Sequence, residues 1–84
     1  MTNAQEKFIR LRLEEKERRY KSHKEYQDRV IEEHMRKGDT YIGFLFKYLW
    51  RDGEEEWYEE FLERATREYE SDGYYIKGCS IYWV

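Results

Sequence analysis

Apolar side chains follow one another almost without a break only between residues 41 and 50, where Gly43 and Lys47 are the two interruptions. A helical stripe at i, i+3, i+4 and i+7 runs through this segment and consists of Ile42, Leu45, Phe46 and Leu49. The same segment also alternates as a strand does, with one face holding Ile42, Phe44, Phe46, Tyr48 and Trp50. Both patterns stay open, and we prefer a helix over 41–50 because the next predicted element begins only a few residues later.

The segment 3–37 predicts a helix that occupies most of the first half of the chain. Asn3 with Glu6 three residues later fits a capping box, which satisfies two backbone N–H groups at a helix start. Gly38 suits the left-handed residue that commonly closes a helix.

The apolar residues of this helix form an early and a late cluster, separated by the charged stretch 16–25. They are Phe8, Ile9, Leu11 and Leu13, followed by Tyr26, Val30, Ile31 and Met35. Ser22 with Glu25 is a second potential capping box, so one long helix and two helices broken near residues 20–22 are both open. We prefer the continuous helix, since the chain contains no proline that would force a stop.

A further helix is strongly predicted over 54–70. Asp52 with Glu55 is a third potential capping box, and the segment ends at Ser71-Asp72-Gly73. Its apolar residues share one face at spacings of three and four, namely Trp57, Tyr58, Phe61, Leu62, Ala65 and Tyr69.

The C-terminal stretch YYIKGCSIYWV has the composition of β-strands. A two-residue turn at Gly78-Cys79, with glycine first, fits a type II′ hairpin. The resulting register pairs residues of one apolar face, Ile76 with Ile81 and Tyr74 with Trp83. We expect this face to pack on the helices, because a lone hairpin is only marginally stable in water.

Length and composition predict one domain over 1–84, with a charged helical arm at 1–37 and a compact helix-helix-hairpin part at 38–84. Charged residues make up 42% of the chain and the mean hydropathy is −1.20, values typical of disordered chains. Aromatic residues make up 19%, however, and they supply large apolar area for a small core. The predicted fold class is mainly helical α+β: a long N-terminal helix, two further helices in a helix-turn-helix-like order, and a small C-terminal β-hairpin.

Residues that carry catalysis or bind metals stand in no recognisable arrangement. His23 and His34 lack a third ligand at metal spacing, and no base can be named beside Cys79, the single cysteine. We therefore expect no enzyme activity, metal or cofactor. The N-terminus lacks the apolar region of a signal peptide, and the longest apolar run is far shorter than the roughly 20 residues of a membrane span, so we expect a cytoplasmic protein without membrane contact.

Charge is distributed unevenly around a formal net charge of −3. Basic residues outnumber acidic ones up to Lys37, with a dense basic patch of Lys16, Arg18, Arg19, Lys21 and Lys24. Acidic residues prevail from Gly38 onward, chiefly Asp52, Glu54, Glu55, Glu56, Glu59, Glu60 and Glu63. The simplest interpretation is that two solvated helix faces attract each other within one molecule.

The predicted order of helix 41–50, short turn, helix 54–70 and hairpin resembles a winged helix-turn-helix domain. The resemblance implies DNA binding through the second helix, with the hairpin as the wing. That helix opens with a run of carboxylates, which repel phosphates, whereas DNA affinity depends largely on lysine and arginine. In this alternative a DNA-binding regulator would use the basic patch of Lys16, Arg18, Arg19, Lys21 and Lys24.

The acidic helix predicts contact with a basic protein surface, including one that normally holds DNA. Aromatic side chains beside carboxylates are typical of interface anchors, and the predicted partner-binding residues are Glu55, Glu56, Tyr58, Glu59 and Glu63. In length and composition the chain is also similar to the small host-directed proteins of bacteriophages. We therefore expect a non-enzymatic protein-binding module that modulates or inhibits a larger cellular protein, with a homodimer through the ends of the long helix as a further assembly.

Overall fold

The computed structural model describes residues 2–49 and 51–84. This part of the chain contains helices α1 (Asn3–Arg36) and α2 (Tyr58–Ser71), 3₁₀ turns at Phe46–Tyr48 and Glu55–Trp57, and strands β1 (Tyr41–Gly43), β2 (Tyr75–Lys77) and β3 (Ser80–Tyr82). The protein is mainly helical with a small antiparallel sheet near the C-terminus, as predicted. Its described residues form two α-helices, however, where three were expected.

Helix α1 is a single helix of 34 residues, so the continuous alternative is confirmed and no break occurs near residues 20–22. Its capping box lies one residue earlier than predicted. The Thr2 hydroxyl accepts a hydrogen bond from the Gln5 N–H at 3.1 Å, and the Thr2 N–H donates to the Gln5 side chain at 2.9 Å. Threonine and glutamine obey the same rule as the predicted Asn3 and Glu6, and Asn3 becomes the first helical residue instead of the cap.

Gly38 closes α1 as predicted. Its φ of 89° is the left-handed conformation that this position requires. The Gly38 N–H donates to the Met35 carbonyl at 3.0 Å, and the Asp39 N–H donates to the His34 carbonyl at 2.9 Å. These two bonds form a Schellman motif, which satisfies carbonyl groups at the end of the helix.

The predicted helix over 41–50 is wrong, because the segment forms strand β1 and then the 3₁₀ turn. β1 pairs antiparallel with β3 in the register Tyr41 to Tyr82, Ile42 to Ile81 and Gly43 to Ser80. Isoleucine, tyrosine and glycine are poor helix formers, and the free edge of β3 offers them backbone partners. The alternating pattern that was left open thus describes the start of the segment, while Trp50 lies outside the described residues.

Gln27 of α1 fixes the chain at the point where β1 ends. Its side chain is fully buried, and its amide oxygen accepts a hydrogen bond from the Leu45 N–H at 2.7 Å. Its amide nitrogen donates to the Gly43 carbonyl at 3.3 Å. One side chain therefore satisfies two backbone groups that would otherwise lack a partner near the core.

Helix α2 begins at Tyr58, later than predicted, because the 3₁₀ turn Glu55–Trp57 precedes it. The capping box expected at Asp52 is absent, since Glu54 is the residue before the turn and no side chain caps it. The predicted end is confirmed: α2 stops at Ser71, and Gly73 follows with a φ of 93°.

The sheet has the strand order β1-β3-β2, with both neighbouring pairs antiparallel. The predicted hairpin register is confirmed, since Ile76 pairs with Ile81. Gly78 has a φ of 60°, which suits the first residue of a type II′ turn. Ile42 extends the isoleucine pair into a row across three strands, and this row packs on the core. The opposite face carries a row of tyrosines, Tyr41, Tyr82 and Tyr75.

The core lies where α2 and the sheet pack on the middle of α1. Tyr20 and Phe61 meet edge to face with ring centroids 5.4 Å apart, and Trp57 stacks on Phe61 at 6.0 Å. The buried apolar residues are Tyr20, Ile31, Phe46, Trp57, Phe61, Ala65, Tyr69 and Ile81. The early apolar cluster of α1 lies outside this core, since Phe8 is 65% exposed and Leu13 is 58% exposed.

The helix-turn-helix-like order is also wrong. The chain that precedes α2 is a strand and 3₁₀ turns, so α2 has no partner helix within residues 38–49 and 51–84. The resemblance to a winged helix-turn-helix domain therefore reduces to one helix followed by a hairpin.

Replacing Gln27 with leucine should lower the free energy of unfolding by about 2 kcal/mol or more, because each buried group left without a hydrogen bond costs about 1–3 kcal/mol. Urea denaturation measures this change. Glu25→Leu, on the exposed side of the same helix, is the control and should change stability by less than about 0.5 kcal/mol. Equal stability of Gln27→Leu and the wild type would show that the two hydrogen bonds from Gln27 do not stabilise the fold.

Candidate partner-binding site

Ion pairs join α1 to the second half of the chain along the edge of the core. An Arg12 guanidinium nitrogen lies 2.8 Å from a Glu56 carboxylate oxygen. Lys16 likewise pairs with Glu60 of α2. A pair of the opposite polarity adds to these, since Arg64 of α2 donates to Glu17 of α1 at 2.6 and 2.9 Å. The basic surface of α1 and the acidic residues after Gly38 therefore attract each other within one molecule, as the simplest interpretation of the charge pattern predicted.

The residues of the predicted basic patch do not form one surface. Successive residues of an α-helix are rotated by about 100°, so neighbours in sequence point in different directions. Each cation pairs with a carboxylate of this chain: Lys16 with Glu60, Arg18 with Glu15, Arg19 with Glu15 and Glu54, Lys21 with Glu17, and Lys24 with Asp28 and Glu68. The structure thus disperses the patch and neutralises much of its charge.

Glu54 is the one acidic residue of the described chain that is buried, with 1% of its surface exposed. One carboxylate oxygen accepts a hydrogen bond from Arg19 at 2.5 Å. The other lies 2.9 Å from Nε2 of His23, which must carry the proton of this bond. Burial raises the pKa of the Glu54 carboxyl, but the bonds from His23 and Arg19 outweigh burial and hold that pKa below its usual value.

The predicted partner-binding carboxylates divide into two groups. Glu56 faces α1, where it pairs with Arg12. Glu55, Glu59 and Glu63 are exposed, and no ion pair within residues 2–49 and 51–84 involves them. Glu59 and Glu63 stand four residues apart on α2 and lie in one line along its surface, while Glu55 precedes them in the 3₁₀ turn. We call these three residues the acidic row.

An apolar groove lies beside the acidic row. It has a volume of about 450 Å³ and is enclosed by α2, the chain after β1 and the hairpin turn. Its lining is mainly apolar but contains one cation, and includes Phe44, Leu45, Lys47, Tyr58, Leu62, Thr66 and Cys79. Leu62 and Thr66 follow Glu59 and Glu63 by three residues, so the carboxylates border the α2 wall of the groove. The structure thus places Tyr58, the fifth predicted residue, in the wall and the acidic row at its edge.

The other residues considered for chemistry occupy separate positions. Nδ1 of His34 lies 2.7 Å from an Asp39 oxygen near the end of α1, while His23 belongs to the Glu54 cluster. Cys79 is exposed in the hairpin turn. In the part of the chain that the structure describes, no group of three or more His, Cys, Asp or Glu side chains could hold a metal ion.

Sequence reasoning missed the Glu54 cluster and the groove. For the cluster a signal existed, because Tyr20, His23, Gln27 and Ile31 recur at spacings of three and four and share one face of α1. Two polar residues on an otherwise apolar face indicate buried hydrogen-bond partners. The groove leaves no such pattern, since its walls come from three separate segments.

Comparisons with protein-family models, with curated proteins and with solved structures found no match to the chain. Neither helix of the described residues is both long and apolar enough to cross a membrane. The function is therefore inferred from the geometry of the site.

Replacing Glu54 with glutamine should lower the free energy of unfolding at neutral pH by about 1–3 kcal/mol, because the amide has a single acceptor oxygen and leaves one of the two donors, from His23 and Arg19, without an acceptor. The pKa of Glu54 in the folded protein lies below its unfolded value of 4.5. The carboxylate therefore contributes stability above the unfolded pKa, and this contribution is lost as pH falls through the folded pKa.

Urea titrations of the wild type and Glu54→Gln across acidic pH measure this dependence. The stability difference between the two proteins should shrink below the unfolded pKa. The exposed Glu70→Gln variant is the matched control and should follow the wild type. A difference that stays constant into strongly acidic pH would show that the cluster does not depend on the ionised carboxylate.

Proposed function

We propose that the protein is a non-enzymatic binding module that takes up a basic segment of a larger cellular protein and thereby modulates or inhibits that protein. The observation that carries this proposal is the apolar groove bordered by the acidic row. A groove of about 450 Å³ suits a few apolar side chains of a partner. Lysine or arginine residues on either side of those anchors would then meet Glu55, Glu59 and Glu63.

The two parts of the site support different aspects of binding. Apolar anchors that fill a pocket usually supply most of the affinity, and tyrosine is enriched among such contacts. Tyr58 is half-buried in the groove wall and belongs to this class. Exposed charges at the rim act mainly on the rate of association and on the choice of partner. The acidic row therefore selects for a basic partner segment, while the groove holds it.

Nucleic acid is a weaker candidate for this surface. The acidic row carries the charge that phosphate avoids. Each residue of the basic patch is paired with a carboxylate of the chain itself. The helix that would precede a recognition helix is also replaced by a strand.

The triple variant Glu55→Gln, Glu59→Gln and Glu63→Gln should weaken binding to the protein partner about tenfold or more, chiefly through slower association at low salt. The partner is first isolated by affinity capture from a nuclease-treated lysate and purified. Surface plasmon resonance at two salt concentrations then gives the rate constants.

A second triple variant is the matched control, with Glu6, Glu25 and Glu33 of α1 changed to glutamine. These carboxylates are also exposed and without an ion pair among the described residues, so the control removes the same charge elsewhere. Equal affinity of both triple variants for the partner would contradict a specific role of the acidic row. Capture of nucleic acid alone, or self-association as the only interaction, would contradict the proposal as a whole.

Alkylation of Cys79 with a bulky maleimide should block binding of the partner. Cys79 is the single cysteine, is exposed, and lines the groove, so the reagent fills the groove without changing the acidic row. Cys79→Ser protein treated in the same way is the control and should keep its affinity. Full binding by the alkylated wild type, with labelling verified by mass spectrometry, would place the partner outside the groove.

A further inference from the structure

A second cavity, of about 350 Å³, lies between the middle of α1 and the chain that follows the Phe46–Tyr48 turn. Among the described residues, it shares only Tyr48 with the apolar groove. Its lining contains four guanidinium groups, from Arg18, Arg19, Arg29 and Arg51. No carboxylate belongs to the described residues that line it, so the cavity presents positive charge to solvent.

Two of these arginines form ion pairs with carboxylates that do not line the cavity. Arg18 and Arg19 both bond to Glu15, and these bonds lower the pKa of that carboxyl to about 2. Arg19 also bonds to Glu54, which is buried. The carboxylates of Glu15 and Glu54 thus hold the guanidinium groups of Arg18 and Arg19 in place.

The other two arginines have no carboxylate partner among the described residues. Arg29 lies over the Tyr26 ring at 5.8 Å from its centroid, and Arg51 takes part in no ion pair with residues 2–49 or 52–84. The four guanidinium groups at the cavity thus have two carboxylate partners in total, Glu15 and Glu54, which leaves an excess of positive charge in a concave site. Such a site attracts an anion.

We infer that this cavity binds a mononucleotide, with its phosphate on the arginines and its base on a tyrosine ring. Guanidinium groups match phosphate oxygens in bidentate geometry. Tyr48 and Tyr26 at the same cavity are 73% and 41% exposed, so each has ring surface to offer. Aromatic side chains stack on any base, and the volume is in the range of small-molecule sites.

The distribution of ion pairs along α1 favours a single nucleotide over a nucleic-acid strand as the ligand. A strand needs a basic track that follows several phosphates. Beyond the cavity, the cations of the predicted basic patch are paired with carboxylates: Lys16 with Glu60, Lys21 with Glu17 and Lys24 with Glu68. Among the cations of the cavity lining and of the basic patch, only Arg29 and Arg51 have no carboxylate partner within the described residues, and both lie at the cavity.

Isothermal titration calorimetry with AMP tests the inference on the full chain. Saturable binding of AMP is expected, with weaker binding of inorganic phosphate and none of adenosine. Arg29→Gln and Arg51→Gln should each weaken AMP binding about tenfold, a change that corresponds to about 1.4 kcal/mol. Neither residue holds an ion pair within the described chain, so circular dichroism should show an unchanged fold.

Arg67→Gln is the matched control, because Arg67 is exposed and lies on α2 away from the cavity. It should bind AMP as the wild type does. Tyr48→Ala should weaken AMP while leaving phosphate binding unchanged, which separates stacking from charge. Absence of saturable AMP binding at millimolar concentration would overturn the inference. Equal losses in the Arg67 and Arg51 variants, or tight binding of a single-stranded oligonucleotide but not of AMP, would overturn it as well.

Discussion

The folded state depends on the packing of aromatic side chains from α2 against the middle of one long helix. A chain of 84 residues buries a small core, so each ring at this contact matters. Phe61 lies at its centre, in contact with the rings of Tyr20 and Trp57. Cations complete the edges of the core, since Arg12 lies over the Trp57 ring at 4.3 Å and Arg64 over the Tyr20 ring at 4.0 Å. The two arginines, which pair with Glu56 and Glu17, therefore also cover the aromatic contact.

The ion pairs have different physical roles according to their exposure. Arg12 and Glu56 are substantially exposed, and a pair of this kind contributes at most about 1 kcal/mol because water screens it. Glu54 is different, since a buried carboxylate must be fully bonded to be tolerated. Its bonds to Arg19 and His23 tie the chain before α2 to α1. The Glu54 side chain is therefore engaged with α1, and no side chain caps the 3₁₀ turn that precedes α2.

Local turn chemistry could be predicted from the sequence, and pairing between distant segments could not. Gly38, Gly73 and Gly78 each mark an element end because a left-handed conformation is a property of the residue itself. β1 was predicted as helix because its partners, β3 and Gln27, are remote in sequence. Turn residues and periodicity do not predict contacts between distant segments. A short apolar run can therefore be either helix or strand until its neighbours in the fold are known.

The candidate site shows the same division. Glu55, Glu59 and Glu63 are exposed, as the apolar face predicted for the helix implies, but their contact with a partner stays a prediction. The groove beside them forms only where three separate segments of the chain meet, and no sequence pattern predicted it.

Charged residues make up 42% of this chain, so the number of charges near a place carries little information about function. What distinguishes a surface is the charge that remains after internal pairs are removed. The basic patch keeps little net charge by this criterion, because each of its cations has a carboxylate partner. The acidic row and the two arginines Arg29 and Arg51 keep their charge, as do exposed residues elsewhere such as Glu6, Glu33 and Arg67. The acidic row and the two arginines differ from those residues because they lie beside concave surfaces, where an unpaired charge can meet a ligand instead of bulk water.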